Sequence, residues 1–356
     1  MTAEDLAEVT GLLDTHLPEW GGDRELLRAT MVEHPWADPE LSSLVAVDEQ
    51  GAIVGFIGAQ ARRLVFDGRP LRGLCCSHLV VVPDRRGSAA GALLLGRLLA
   101  GPQDLTWSDS AIPIVARMWR TFGGELDHAR VCDWMLVLRP AGWVGSWAGS
   151  VAARRRIDRD LIPVGSFPFS ALARLRPGSG EMVWEEGEIR RASGPVAGLS
   201  GEDASAEQIV AELPAISART RFRVEYDAEH LEHQFGQIRA RSGELVCRLV
   251  RLNGSPIGWY AYLPRRAAAS RVLCLAGTER HLDLVLGELV EHARGGGSRV
   301  LAGRLEPHLD GPLRRRLAAI GIVRDAVVHA ADPELRAALA TGSALLTQLD
   351  GEWFLV

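Results

Sequence analysis

Two stretches of this chain alternate apolar and polar positions around a glycine-containing turn. Residues 44–59 read LVAVDEQGAIVGFIGA and residues 248–262 read RLVRLNGSPIGWYAY, and each pattern predicts a β-hairpin. Gly51 and Gly55 match Gly254 and Gly258 at one offset, 254 − 51 = 203 and 258 − 55 = 203, which suggests a duplicated unit. The same order of elements follows each hairpin. In the first half the pattern predicts a strand over 74–82, a helix over 90–100, a short strand over 105–109, a helix over 111–121 and a strand over 131–138. In the second half it predicts a strand over 271–277, a helix over 281–294, a strand over 299–305, a helix over 311–321 and terminal strands over 345–354. Leu282, Val285, Leu286, Leu289 and Val290 recur at i, i+3, i+4, i+7, i+8, so that helix has one apolar face.

The expected fold class is α+β, of the α/β sandwich type: two similar domains, each a mixed, mostly antiparallel sheet flanked by helices. Their expected extents are 1–139 and 206–356. Residues 140–205 form a linker and helix region between them, in which WVGSWAGSVAARRRI reads as a helix ending in Arg154, Arg155 and Arg156. LRPGSGE and LSGEDASAE are turn- and linker-like.

Composition narrows the class further. The 356 residues are 47% hydrophobic and 24% charged, which excludes a disordered chain. No run approaches the ~20 apolar residues of a membrane helix. The start, MTAEDLAEVTGLLDTHL, carries acids where a signal peptide carries bases, so the expectation is a soluble cytoplasmic protein with no membrane partner. A net charge of -5 argues against general nucleic-acid binding. Cys75, Cys76, Cys132, Cys247 and Cys274 form an odd set without CxxC spacing, read as reduced thiols and not as a disulfide framework or a zinc site.

The segment that carries chemistry is LVVVPDRRGSAAGALLL, residues 79–95. A buried strand ends at Pro83, and a loop of small residues opens directly into a helix. Backbone N–H groups at such a junction point outward and suit a phosphate. Gly87, Ser88, Ala89, Ala90, Gly91 and Ala92 keep side chains out of the way, and Arg85 and Arg86 reach further phosphate oxygens. The loop is neither a Walker loop, which needs a Lys, nor GxGxxG.

These residues resemble the GNAT superfamily of acyl-CoA N-acyltransferases, whose signature is a strand ending near V-x-P followed by [RQ]-x-x-G-x-[GA] at a helix start. Arg86-Gly87-Ser88-Ala89-Ala90-Gly91 occupies those six positions, with Ala89 where the family has its first motif glycine. Two departures stand out: the alanine, and a chain that begins at the first helix without the family's usual first strand. The resemblance covers about 1–139 by motif and about 206–356 by element order alone. The second junction, LAGTERHLDL, has neither the arginine-glycine loop nor the small residues, so the second domain is expected to be a degenerate copy.

The resemblance implies acetyl-CoA or another acyl-CoA as co-substrate and no metal. It also implies direct transfer of a short acyl group to an amine of a small molecule or peptide. The pantetheine arm is expected along 77–82, with a backbone N–H near Val80, Val81 or Val82 polarising the thioester carbonyl. The amine then needs a base, and the departing thiolate an acid. Family members often use a Tyr as that acid, in the helix after the short strand. Here that position is Trp119, and the chain has no Tyr before Tyr226. A tyrosyl acid is therefore expected from the second domain, from Tyr226, Tyr260 or Tyr262.

His78 is a candidate base on the strand beside the expected thioester site, or a packed residue of the other sheet face. Asp109 is a candidate base acting directly or through water, or a cap for the following helix. Buried strand thiols make Cys75 and Cys76 poor nucleophiles. His230 and His233 stand three apart and are read as a solvated helix face, not a metal motif. Trp36, Trp107, Trp119 and Trp134 line an acyl pocket or anchor the core, the latter being the ordinary role. All 40 basic residues are Arg, through codon bias or through avoidance of self-acylation by exposed amines. The alternative function is a non-catalytic CoA sensor or interaction module of the same shape. A third keeps the fold with an aminoacyl-tRNA or carrier-protein thioester as donor.

Overall fold

The computed structural model describes residues 1–18, 23–86, 89–139, 196–316, 318–322 and 325–353. They fall into two compact units, Met1–His128 with Thr220–Gly243 and Asp325–Val356, and Ala129–Arg219 with Glu244–Arg324.

In the first unit, α1 (Leu6–His16) and α2 (Arg24–Met31) precede β1 (Leu44–Val47), β2 (Ile53–Phe66) and β3 (Arg69–Val81). Asp23 starts α2 by accepting from the backbone N–H groups of Glu25 and Leu26. A side-chain-poor junction leads into α3 (Ala90–Leu99), then β4 (Leu105–Ala111), α4 (Pro113–Thr121) and the short β5 (Glu125–Leu126). The unit is completed by β8 (Phe222–Val224), the helix Ala228–Ser242, β14 (Asp325–His329), the helix Pro333–Leu339 and β15 (Ala344–Leu345). The sheet order is β15-β8-β2-β3-β4-β14-β5, with β1 on β2. On one face, Leu94, Leu95, Leu98 and Leu99 of α3 pack on Ile57, Leu74, Cys76 and Val327. On the other, α1 and α2 cover Phe56 and Val80, while Trp36, Phe222 and Leu335 cover Leu64, Cys75 and Trp107.

In the second unit, β6 (Cys132–Val137), β7 (Leu199–Asp203), β9 (Val246–Leu252), β10 (Ser255–Leu263), β11 (Ala269–Gly277), β12 (Val300–Arg304) and β13 (Ala319–Ile322) form a sheet in the order β13-β6-β12-β11-β10-β9-β7. The helix Leu282–Gly295 buries the five apolar residues expected of it, together with Ala293. The hairpin glycines play paired roles. Gly51 and Gly254 both sit at positive φ in the turns, at 85° and 81°. Gly55 and Gly258 lie under the helix that follows, where a Cβ would press on Leu94 and on Val285 respectively.

Three expectations are corrected. The compact units do not follow 1–139 and 206–356, because β6 of the first half joins the second sheet while β8, β14 and β15 of the second half join the first. β6 lies antiparallel between β12 and β13, and β14 lies antiparallel between β4 and β5. Both of these strands are apolar enough to fill a central position and cannot be told from home strands by local pattern. Residues 220–243 likewise belong to the first unit. The helix expected over 311–321 is only Asp310–Arg315. The terminal strands expected over 345–354 shrink to β15 and a buried turn at Gln348–Asp350. Most of the region 140–205 lies outside the described residues.

Candidate active site

β3 and β4 run parallel but are paired only at Gly73↔Leu105, Leu74↔Thr106 and Cys75↔Trp107. Both strands continue, β3 to Val81 and β4 to Ala111, so a gap opens in the middle of the sheet beyond Cys75 and Trp107. The register with β2 places Ser77 opposite Gly58 and Val80 opposite Phe56. His78 and Leu79 therefore share one partner position, a β-bulge on the strand that lines the gap. His78 has a φ of 53°, in the left-handed region that a non-glycine residue seldom adopts. Its Nδ1 lies 2.8 Å from the Ser77 hydroxyl. Burial first, and the Arg241 charge second, push its pKa down to about 4, so the imidazole is neutral near pH 7.

The gap leads to the loop singled out by sequence. The Val82 N–H donates to the Val54 carbonyl at 3.0 Å, which pins the end of β3. A tight turn over Pro83–Arg85 follows. Arg85 and Arg86 are exposed, with Arg86 Nε donating to the Val81 carbonyl at 3.2 Å. Gly87 and Ser88 lie outside the described residues. α3 begins at Ala90 with no acid in its first turn, which keeps the positive end of its dipole uncompensated. A Cβ on Gly91 would meet only Val81 Cγ2 at 3.5 Å and Met118 Cε at 3.8 Å. Ala90, Gly91 and Ala92 thus give a narrow helix start that fits a diphosphate. Val80 is buried on the α1–α2 side, and Val81 and Val82 are half-buried. Leu93, Ile112 and Ile114 are exposed apolar residues at the starts of α3 and α4.

Sequence reading missed what stands in the gap. Glu352, only 3% exposed, accepts from the Ser108 hydroxyl at 2.9 Å with Oε1 and from the Ser110 hydroxyl with Oε2. Its backbone N–H donates to Asp109 Oδ2 at 3.1 Å. Gly351 has no room for a side chain, since a Cβ there would run into the Asp109 carboxylate. Cys75 and Cys76 point to opposite faces of the sheet. Both thiols are raised well above their usual pKa by burial and then by Glu352. Glu352 thus touches Ser108 and Ser110 with its side chain and Asp109 with its backbone, all on the stretch of β4 beyond its last pair with β3. The thiols are inert at neutral pH. Asp109 does not cap α4, whose start is Ile112-Pro113 with no side-chain cap.

Tyr226 is placed in the first unit, which corrects the expectation that it comes from a second domain. Its hydroxyl donates to Asp350 Oδ1, while Oδ2 of the same carboxylate accepts from the Thr347 N–H and hydroxyl. Arg62, fully enclosed, donates through Nε to the Asp350 carbonyl at 2.9 Å and through Nη2 to Gln60 Oε1 at 2.7 Å. Burial raises the Asp350 pKa and lowers that of Arg62. Tyr260 and Tyr262 are core residues of the second unit. Burial raises the pKa of both, that of Tyr262 to about 12.

His230 is not a solvated residue. It is buried against Trp36 on the inner face of its helix. Among the described residues no group of His, Cys, Asp and Glu is arranged to hold a metal ion, and no helix is long and apolar enough to cross a membrane. The four tryptophans in question, Trp36, Trp107, Trp119 and Trp134, are all core residues.

The second unit treats the same features differently. β11 and β12 also part, after Val272↔Gly303, but His308 fills that opening with Nε2 2.9 Å from the Leu275 carbonyl. β10 and β11 keep regular register from Gly258↔Gly277 to Ala261↔Cys274, and their bulge falls at Leu273, just past the last β11–β12 pair and before the end of β11. The junction after β11 is closed by Thr278 Oγ1 and His281 Nδ1 at 2.9 Å. No run of small residues opens there.

No family model matches the sequence, and no curated protein matches it. Solved structures do resemble it. A GCN5-related N-acetyltransferase from Anabaena variabilis superimposes with a TM-score of 0.57 at 11% identity, over 92% of this chain and 71% of that one. A conserved protein of unknown function from Enterococcus faecalis, described as a probable N-acyltransferase, gives 0.55 at 11% identity, over 93% and 71%. The N-myristoyltransferase of Saccharomyces cerevisiae with bound myristoyl-CoA gives 0.51 at 12% identity, over 96% and 87%. The exchanged sheets, the opened strand pair and the junction into α3 thus belong to a chain that has the GNAT fold.

Proposed function

We propose that this protein is an acyltransferase that moves an acetyl or other short acyl group from acyl-CoA to an amine by direct transfer. The observation that carries the reading is the opened β3–β4 pair beside the narrow start of α3, within a GNAT fold. The diphosphate of the co-substrate lies against the N–H groups of 89–92, with Arg85 and Arg86 reaching its outer oxygens. The pantetheine arm follows β3. The bulge at His78 interrupts the pairing of β3 with β2, and a backbone N–H between it and Val82, whose own N–H is taken by the Val54 carbonyl, polarises the thioester carbonyl. Positioning of the two reactants supplies much of the acceleration. The solved N-myristoyltransferase holds its acyl-CoA in the same fold, which supports this placement. The second unit, where His308 bonds the Leu275 carbonyl beyond the last β11–β12 pair, is a degenerate copy that carries no second transfer.

A second reading, binding without turnover, is favoured by Trp119, which is buried in the core at the position where the resemblance leads one to expect a tyrosyl acid. Two measurements separate the readings. Calorimetric titration with acetyl-CoA and CoA is expected to show binding, and its absence at millimolar ligand defeats both. Thiol release from acetyl-CoA with a panel of primary amines is expected for the enzyme. Tight binding with no release selects the sensor.

A further inference from the structure

We infer that Glu352 is the general base of this site and that Asp109 is the residue that positions it; the assignment rests on the acyl-transfer reading above. Three observations converge on Glu352. It lies against the stretch of β4, Ser108 to Ser110, that follows the last pair of the β3–β4 ladder. Its carboxylate is fixed by two serine hydroxyls from one strand, Ser108 and Ser110, so a single orientation is held before any substrate arrives. Its main chain is fixed separately, by the N–H bond to Asp109 Oδ2, and the absence of a side chain at Gly351 allows that approach. Other candidates are engaged elsewhere. Tyr226 is bound to Asp350, and His78 lies on the bulge with its ring against Ser77.

The step balances without any further reactant. An acceptor ammonium gives one proton to the Glu352 carboxylate, and the freed nitrogen lone pair attacks the thioester carbonyl carbon. The C–N bond forms and the C–S bond breaks, with the electron pair leaving on sulfur. The second nitrogen proton passes to that sulfur, giving the free thiol and an amide. Glu352 then returns its proton to water. A separate tyrosyl acid is not required, which accounts for the tryptophan at position 119.

The test uses the full chain with acetyl-CoA and an acceptor panel of spermidine, tyramine and triglycine, read by thiol release. Glu352→Gln keeps the shape of the side chain. It is expected to bind acetyl-CoA within about two-fold of the wild type, while kcat falls at least ~100-fold. The acid limb of the kcat–pH profile is expected to disappear. Glu352→Asp, which withdraws the carboxylate by one methylene, is expected to lose kcat in part and to keep the limb. Asp109→Asn is expected to lower kcat with the limb retained, as a positioning residue does. Undiminished turnover by Glu352→Gln with the limb intact overturns the assignment. A wild type that binds acetyl-CoA and releases no thiol overturns it in favour of the sensor. A wild type that does not bind acetyl-CoA overturns the acyl-transfer reading itself, so the two failures are told apart.

Discussion

The Trp36 indole lies flat on the His230 imidazole, with ring centroids 3.5 Å apart and planes 6° from parallel. Trp36 Nε1 also donates to Asp227 Oδ2 at 2.7 Å, next to the start of the helix that carries His230. One side chain therefore ties the loop after α2 to the helix Ala228–Ser242. Trp36→Ala removes a large buried ring and leaves a cavity against His230. The expected loss is about 3–5 kcal/mol of folding stability, read from the denaturant midpoint. A loss below about 1 kcal/mol would show that this stack is not part of the core.

The buried imidazoles make the fold sensitive to acid. Burial, then the charges of Arg62 and His233, lower the His34 pKa to about 2, and burial with Arg241 lowers that of His78 to about 4. His230 is lowered by burial and then by Arg62. In the unfolded chain each titrates near 6.5, so below that value the unfolded state holds more protons. Stability therefore rises with pH across this window and is lost as pH falls from about 6.5 toward 4. At pH 5 His34 and His78 each cost about 2 kcal/mol relative to pH 7.5. Thermal unfolding at the two values checks the sign. Equal stability at pH 5 and pH 7.5 would contradict the buried neutral imidazoles.

Much of the element order was legible because each hairpin carries its own turn glycine and each helix its own apolar period. Gly51, Gly254 and the run from Leu282 to Val290 are local signals, and the structure places them as read. The strand exchange was not legible. CDWMLV and DAVVH are strand-forming whichever sheet receives them, and pairing over nearly two hundred residues leaves no mark on the local pattern. The segment from Leu345 to Phe354 misled for a related reason. Its apolar residues read as strand-forming, but Asp350 and Glu352 are buried with Tyr226, Thr347, Ser108 and Ser110 as partners. Only tertiary contacts make such burial tolerable. The loop after Pro83 was visible as a run of small residues, whereas the gap it serves required the register of two strands.

The start of α3 offers a probe that leaves the core alone. Gly91→Ala adds a methyl that meets Val81 and Met118 at ordinary distance, so folding stability should hold. Gly91→Trp places a ring across the helix start and should weaken acetyl-CoA binding at least ~100-fold without unfolding the chain. Replacing both Arg85 and Arg86 by Ala should weaken binding about ten-fold and flatten its dependence on salt, because exposed guanidinium groups act through screened charge. Calorimetry at two ionic strengths checks this. Unchanged affinity in Gly91→Trp would place the diphosphate elsewhere.

The bulge at His78 separates a backbone role from a side-chain role. At a φ of 53° an asparagine is tolerated and a β-branched residue is not. His78→Asn should therefore keep stability within about 1 kcal/mol, while His78→Val should lose about 1–3 kcal/mol as the strand resists the left-handed turn. If the bulge serves to present the N–H groups that follow it, His78→Asn also keeps kcat within ten-fold. His78→Val should lower kcat well beyond what its stability loss explains at the assay temperature. The reverse pattern, a fall of ~100-fold or more in a well-folded His78→Asn, would assign proton transfer to the imidazole and take it away from Glu352. Both outcomes are read from the same thiol-release assay, with the denaturant midpoint of each variant as the control for folding.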